Sequence, residues 1–304
     1  MSIRFISLIK ITTLFLLLVM LAGCARREAS DAFIQIKGSD TEVNLVQRLA
    51  EEFMKDHQIY IAITGGGSGT GIASLINKQT DIANSSRAMK DEEIKLAKDN
   101  GVDPVAIVFA LDGLALIVHE SLPVESLTLD EISQIYRGEV TNWKEVGGPD
   151  LGISMYGRQS NSGTYIYLRD NVIKGDYSPK VRSMNGTAQI VEAVRKDKAG
   201  IGYVGIGYII DDKGNTLSGI KSLEIAKDIN SPFVSPLDPE NVKSGLYPIV
   251  RPLYQYTDGK PKGNILNLIL FELSDRGQDL VMKEGYYPVT SEYMEINESL
   301  GIFE

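Results

Sequence analysis

The sequence predicts an α/β protein of two lobes, with two mostly parallel sheets flanked by helices and joined by two hinge strands. Three observations lead there. From Phe33 onward, short strand-like runs alternate with segments whose apolar residues recur at helical spacing. Asp112-Gly-Leu-Ala-Leu-Ile-Val118 continues the apolar run Val105-Ala-Ile-Val-Phe109 beyond a glycine, as a strand does where a chain passes between lobes. Tyr247-Pro-Ile-Val-Arg-Pro-Leu-Tyr254, after a loop-rich stretch from Asn230 to Lys243, has the character of a return crossing. Two such crossings make a hinge with a cleft suited to a small ligand.

The elements follow in order. Phe33-Ile-Gln-Ile-Lys37 alternates like a strand, and Thr41 to Lys55 carries Val43, Leu45, Val46, Leu49, Phe53 and Met54 at helical intervals. Tyr60 to Thr64 reads as a strand and Thr70 to Lys78 as a helix with Ile72, Leu75 and Ile76. Asp81 to Asn84 and Val105 to Phe109 are short and apolar enough for buried strands, on either side of a charged helix from Asp91 to Asn100 ended by Gly101. Beyond the first crossing come a segment from Leu129 to Tyr136, a loop at Trp143 and the strand Gly152 to Tyr156. A helical run from Tyr165 to Ile173, a helix from Thr187 to Lys198 and the strand Ile201 to Gly205 complete the middle. After the return, a helix from Gly263 to Leu273 rejoins the first lobe. The expected division is residues 33–111 with 253–304 for lobe 1, and 112–252 for lobe 2.

Residues 1–23 read as a signal peptide. Arg4 and Lys10 precede an apolar stretch ending at Leu21, which meets Ala22 and Gly23 before Cys24. The stretch is short for a membrane span, and Leu-Ala-Gly-Cys resembles the bacterial lipobox, in which the cysteine is lipidated and begins the mature chain. Residues 24–32 then form a polar tether, and the protein is expected outside the cytoplasm on a bacterial membrane. Cys24 is the single cysteine of the 304 residues, so an intrachain disulfide or a cysteine-based metal site is excluded.

The formal charge is −9, and removal of Arg4 and Lys10 with the leader makes it −11. An acidic chain is a poor partner for nucleic acid. Any anion it holds must be held locally, because the long-range field repels it and is screened beyond about 8 Å. Hydrophobic and charged contents of 43% and 23% are ordinary for a globular chain.

Local anion chemistry is present at three strand-to-helix junctions. Arg158-Gln-Ser-Asn-Ser-Gly-Thr164 sets a fixed cation and hydroxyls before a helical run, so that Ser162, Gly163 and Thr164 sit where the first N–H groups of a helix lack partners. Gly38-Ser-Asp-Thr41 and the loop Gly65 to Gly71, with Ser68 at its centre, have the same placement. Ser39, Asp40, Thr41, Ser68, Ser86, Arg87, Arg158, Ser162, Gly163 and Thr164 are therefore the candidate ligand-binding residues. Asp40 admits two readings: an N-cap for the helix starting near Glu42, or an acceptor for the proton of a protonated oxyanion. Phosphate carries a proton at neutral pH and sulfate does not, so the second reading selects phosphate.

Other chemistries lack their parts. Gly200-Ile-Gly-Tyr-Val-Gly205 fits a dinucleotide fingerprint literally, but it follows a helix and lies within a strand-like run. The Gly65 loop lacks the Gly-Lys-Ser/Thr ending of a nucleotide phosphate loop. His57 and His119, the two histidines, read as surface or strand-end residues and supply neither a catalytic base nor a paired metal site. No cofactor and no catalytic residue is expected.

Taken together and in order, these segments resemble the phosphate-binding proteins that feed ATP-driven phosphate importers, within the periplasmic-binding-protein superfamily. The resemblance rests on the lipobox, Gly38-Ser-Asp-Thr41, the loop around Ser68, Asp81-Ile-Ala-Asn-Ser-Ser-Arg87, Arg158 to Thr164, Ala199 to Val204 and Tyr247 to Leu253. It implies a two-lobed fold and ligand contacts at Asp40, Thr41, Ser68, Ser86, Arg158, Ser162, Gly163 and Thr164. It further implies a membrane permease and its ATPase as partners and a monomer tethered through Cys24. In the best-known branch an acid stands at the position of Ser86 and another at that of Ser160. Without them, Asp40 is expected to accept the ligand's proton and Arg87 to add charge. The alternatives are a receptor for sulfate, molybdate or tungstate, a sensory lipoprotein, or a phosphatase on the same scaffold.

Overall fold

The computed structural model describes residues 33–211 and 214–303. The signal peptide, Cys24 and the tether lie outside the described residues. Phe33–Gly38 (β1), Val43–Met54 (α1), Tyr60–Thr64 (β2), Ser68–Ile76 (α2), Ile82–Ser85 (β3) and Asp91–Asp99 (α3) form the first alternating series. Pro104–His119 (β4) then runs for 16 residues. The middle of the chain holds Ser126–Thr128 (β5), Leu129–Arg137 (α4), Ser154–Arg158 (β6), Gly163–Leu168 (α5), Arg182–Met184 (β7), Thr187–Lys196 (α6) and Gly200–Gly205 (β8). Ile220–Ser222 (β9), Glu224–Ala226 (β10) and Pro239–Lys243 (α7) follow. Val250–Asp258 (β11) leads back to Gly263–Leu273 (α8), Asp275–Lys283 (α9) and Ser291–Ser299 (α10).

The main sheet runs β2-β1-β3-β11-β4-β8-β6-β7, with β9 also on β4. Pairing is parallel for β1 with β2 and β3, and for β6 with β7 and β8. It is antiparallel wherever β4 and β11 take part. In place of the expected two mostly parallel sheets, the described strands form one mixed path and a small parallel pair of β5 with β10. Strand–helix repeats generate the parallel outer strands, whereas the crossing strands must run out and back.

Most of β4 divides between two neighbours, and β9 adds to Ile117 through His119. Pro104 to Gly113 pair with β11, from Asp258 to Val250, and Leu114 to Val118 pair with β8, from Gly205 to Ile201. The apolar cores also divide along β4, although Val108 and Leu111, before the switch, already belong to the second. Ile107 and Phe109 pack with Ile36, Leu49, Phe53, Leu253 and Leu268, whereas Leu114 and Leu116 pack with Ile132, Tyr136, Trp143, Ile190 and Tyr203. Each fully buried side chain of this size contributes about 1.5–3 kcal/mol. Two cores sharing one strand pair give two lobes on a common hinge. Where the β4–β11 register slips at Leu253/Tyr254, Asn297 of α10 accepts from the Val108 N–H (3.1 Å) and donates to its carbonyl (2.8 Å). Among the described residues, no helix is long and apolar enough to cross a membrane.

Candidate anion-binding site

The loop after β1 turns at Gly38, whose φ of +144° and distance of 2.0 Å between an added Cβ and the Asn84 carbonyl oxygen leave room for glycine alone. The Ser39 N–H donates to that carbonyl (3.0 Å), which binds this loop to the end of β3. Ser39 and Thr41 are buried as a result. The second loop enters α2 through Gly66 and Gly67, both at positive φ, and buries the Ser68 hydroxyl. Ser68 Oγ accepts the Ser86 N–H (3.1 Å) and lies 3.3 Å from Ser86 Oγ.

From the other lobe, β6 ends at Arg158, and Ser162 caps α5 by accepting the Tyr165 N–H (3.4 Å). The helical run predicted from Tyr165 to Ile173 is an α-helix only to Leu168 and a π turn from Arg169 to Ile173. Gly163 presses on the first lobe, with an added Cβ placed 2.3 Å from Ser68 Oγ and 2.6 Å from Ser86 Oγ. Thr164 Oγ1 is 2.9 Å from Thr41 Oγ1. Asn161 accepts the Gly69 N–H (2.9 Å) and donates to the Gly66 carbonyl (2.9 Å), so the loops of the two lobes touch.

Arg158 is 2% exposed and its guanidinium is held from both sides. Nη1 donates to Thr187 Oγ1 (2.8 Å), and Nη2 donates to the Asn185 carbonyl (3.1 Å) and to the carboxylate of Asp40. Asp40 Oδ1 in turn accepts the Gly66 N–H (3.0 Å). Asp40 is therefore no N-cap: α1 starts after Glu42 without a side-chain cap. Arg87 is placed differently from the rest. Both its terminal nitrogens donate to Glu93 at the start of α3 (2.7 Å each), and despite burial these bonds hold the Glu93 carboxyl below its usual range. Its charge is matched locally, so it adds none to the cleft.

Six buried hydroxyls, each able to donate or accept, and a guanidinium that only donates thus stand with the carboxylate of Asp40, which ionised only accepts. The PBP superfamily domain model matches residues 25–295. The chain belongs to the PBP superfamily. The phosphate-binding protein PstS of Pseudomonas aeruginosa is 31% identical over 280 residues, covering 85% of this chain and 83% of that protein. PstS of Borreliella burgdorferi is 28% identical over 287 residues, covering 91% and 97%. Among solved structures, a phosphate ABC transporter substrate-binding protein of Clostridium perfringens with bound phosphate superposes at a TM-score of 0.75 with 29% identity. The match covers 85% of this chain and all of that one.

In this PBP-superfamily chain, several residues about the site were not singled out from the sequence. Arg251 and Asp112 face each other in the β4–β11 register and form a buried ion pair (2.8 Å). Burial pushes the Asp112 carboxyl up, and Arg251 pulls it back. Tyr208 donates to the Asp40 carbonyl and Tyr286 to that of Thr41 (2.5 Å), which pins the backbone of the first loop. Burial, then the Asp40 carboxylate, raises the Tyr208 phenol, so it stays a neutral donor. Tyr203 receives the Arg158 N–H (2.9 Å), and burial pushes its phenol up to about 12. A charge inside an otherwise apolar crossing strand was the available signal for Asp112 and Arg251.

Proposed function

We propose that this chain is an extracytoplasmic receptor that captures inorganic phosphate between its lobes and hands it to a membrane permease driven by an ATPase. The lobes are taken as residues 33–111 with 253–304, and 112–252. The observation that carries the reading is the joining of Arg158 to Asp40 across the cleft, amid the hydroxyls of Thr41, Ser68, Ser86, Ser162 and Thr164. Hydroxyl, amide and guanidinium donors suit the oxygens of an oxyanion, and Asp40 offers the acceptor that a protonated oxygen needs. Sulfate has no proton to give it and meets a carboxylate instead. Ser39 shapes the loop, and Gly163 brings its backbone to the ligand.

Residues 1–23 serve as the export signal and Cys24 as the lipid attachment point, with the protein working as a monomer. The chain binds without making or breaking a bond in this reading, which is supported by the two histidines being engaged elsewhere, His57 with the Phe53 carbonyl and His119 with Ser121. The PstS proteins of Pseudomonas and Borreliella, named as phosphate-binding, support the ligand, and the Clostridium structure with bound phosphate supports the transport role. The test is calorimetric titration of the chain, freed of carried-over anion, with phosphate and then sulfate at one pH. Phosphate heat with sulfate silent is the expected result; binding of sulfate in preference, or of neither anion, would overturn the assignment.

A further inference from the structure

We propose that Arg251 is a positioning residue that fixes the direction of the hydroxyl protons on Thr41 and Thr164, so that this pair always presents one donor to its ligand. The inference rests on the phosphate reading and adds to it a reason for selectivity. Arg251 is 1% exposed, on the returning hinge strand β11. Its Nε and Nη2 donate to Asp112 Oδ2 (3.0 and 2.8 Å), and the Tyr167 ring centroid lies 5.4 Å from its guanidinium carbon. Asp112 is itself held by the Ile206 N–H (3.2 Å), so the guanidinium has one orientation.

From that orientation Nη2 also donates to Thr164 Oγ1 (3.0 Å) and Thr41 Oγ1 (3.3 Å), one residue from each lobe. A guanidinium donates and never accepts. Nη2 has two protons, one directed at Asp112 and the other shared between the threonine oxygens, so each threonine oxygen accepts from Arg251 and must send its own single proton elsewhere. The two oxygens are 2.9 Å apart, so one proton passes between them and the other is left to face the ligand. The chain of bonds runs one way, from Arg251 through the pair of hydroxyls. A ligand oxygen at its end must be an acceptor, and a proton on the ligand must sit at another oxygen, where Asp40 accepts it. Because Asp112 balances the charge, Arg251 acts through direction more than through net attraction.

The double variant Arg251→Gln with Asp112→Asn keeps the site's charge balance but replaces the donor-only group with an amide that can accept. In calorimetry on the full-length chain in detergent, phosphate affinity is expected to fall by about tenfold or more. With Thr41→Val and Thr164→Val already present, the same change is expected to cost less than about twofold, since the groups it acts through are gone. Arg251→Lys, still a donor-only cation, should recover affinity to within about threefold of the unmodified chain. Equal losses with and without the threonine hydroxyls, or a lysine variant as weak as the glutamine one, would overturn the proposal as a merely structural effect. Failure of the unmodified chain to bind phosphate is a separate result, seen before any variant is made, and takes this inference down with the functional reading.

Discussion

Arg158 and Asp40 come from opposite lobes and meet as an ion pair whose carboxylate also accepts the Gly66 N–H (3.0 Å). The acceptor of the site is thereby held in place by the group that supplies its positive charge. Asp40→Asn removes the acceptor-only character and leaves Arg158 unbalanced. Phosphate affinity should fall by about tenfold while sulfate gains. Titrating both anions against the variant decides it, and an unchanged ratio of affinities counts against the role given to Asp40.

Arg158→Ala should weaken phosphate binding by about 2–5 kcal/mol, because the guanidinium is desolvated and its loss leaves Asp40 without its cation. Arg158→Lys should recover only part of this. One ammonium cannot reproduce the fork that holds Thr187, Asn185 and Asp40 together. A loss of a few tenths of a kcal/mol for the alanine variant would place Arg158 at the rim.

Gly163→Ala should hold the lobes apart. The new methyl would sit 2.3 Å from Ser68 Oγ and 2.6 Å from Ser86 Oγ, both on short buried side chains with little room to turn. Small-angle scattering of the variant at saturating phosphate should show a larger radius of gyration than the unmodified chain, with the melting temperature little changed. Identical scattering curves would show that the loops tolerate the methyl group.

Glu272 is fully buried beside Gln255 Nε2 (3.3 Å), and burial raises its carboxyl from the ordinary 4.5 to about 8. The folded chain then keeps a proton that the unfolded chain releases between those values. Stability should be full below pH 4.5 and decline as pH rises through 8, by up to a few kcal/mol at about 1.4 kcal/mol per pKa unit. Glu272→Gln should flatten that decline. Burial raises Glu42 as well, so a residual slope should persist. Denaturant melts across this range measure the slope directly, and an unchanged slope would remove Glu272 as its source.

Local pattern made the elements legible. The predicted helix from Gly263 to Leu273 is α8 itself, and the apolar run on both sides of Gly113 is the unbroken β4. Pairing order was not legible, because periodicity identifies a strand without saying which strands neighbour it. The antiparallel pairing of β4 and β11 therefore emerged only from the structure. Within the site, a glycine or hydroxyl at a strand-to-helix junction was visible in the sequence, whereas Asp112 meets Arg251 139 residues away. Arg87 shows the converse: its partner Glu93, six residues on, reads in sequence as one more charge on an exposed helix. Asn297 gave no signal at all, since its bonds serve a backbone irregularity in β4.

The place of β11 between β3 and β4 also sets an order of assembly. During synthesis the strands of the N-terminal part emerge with a gap that only a segment near residue 250 can fill, and α8 and α9, which complete that core, come later still. Such long-range pairing is slow and cannot begin until most of the polypeptide exists. A nascent chain built this way stays incompletely paired until its last quarter is made, with the facing edges of β3 and β4 open until β11 arrives between them.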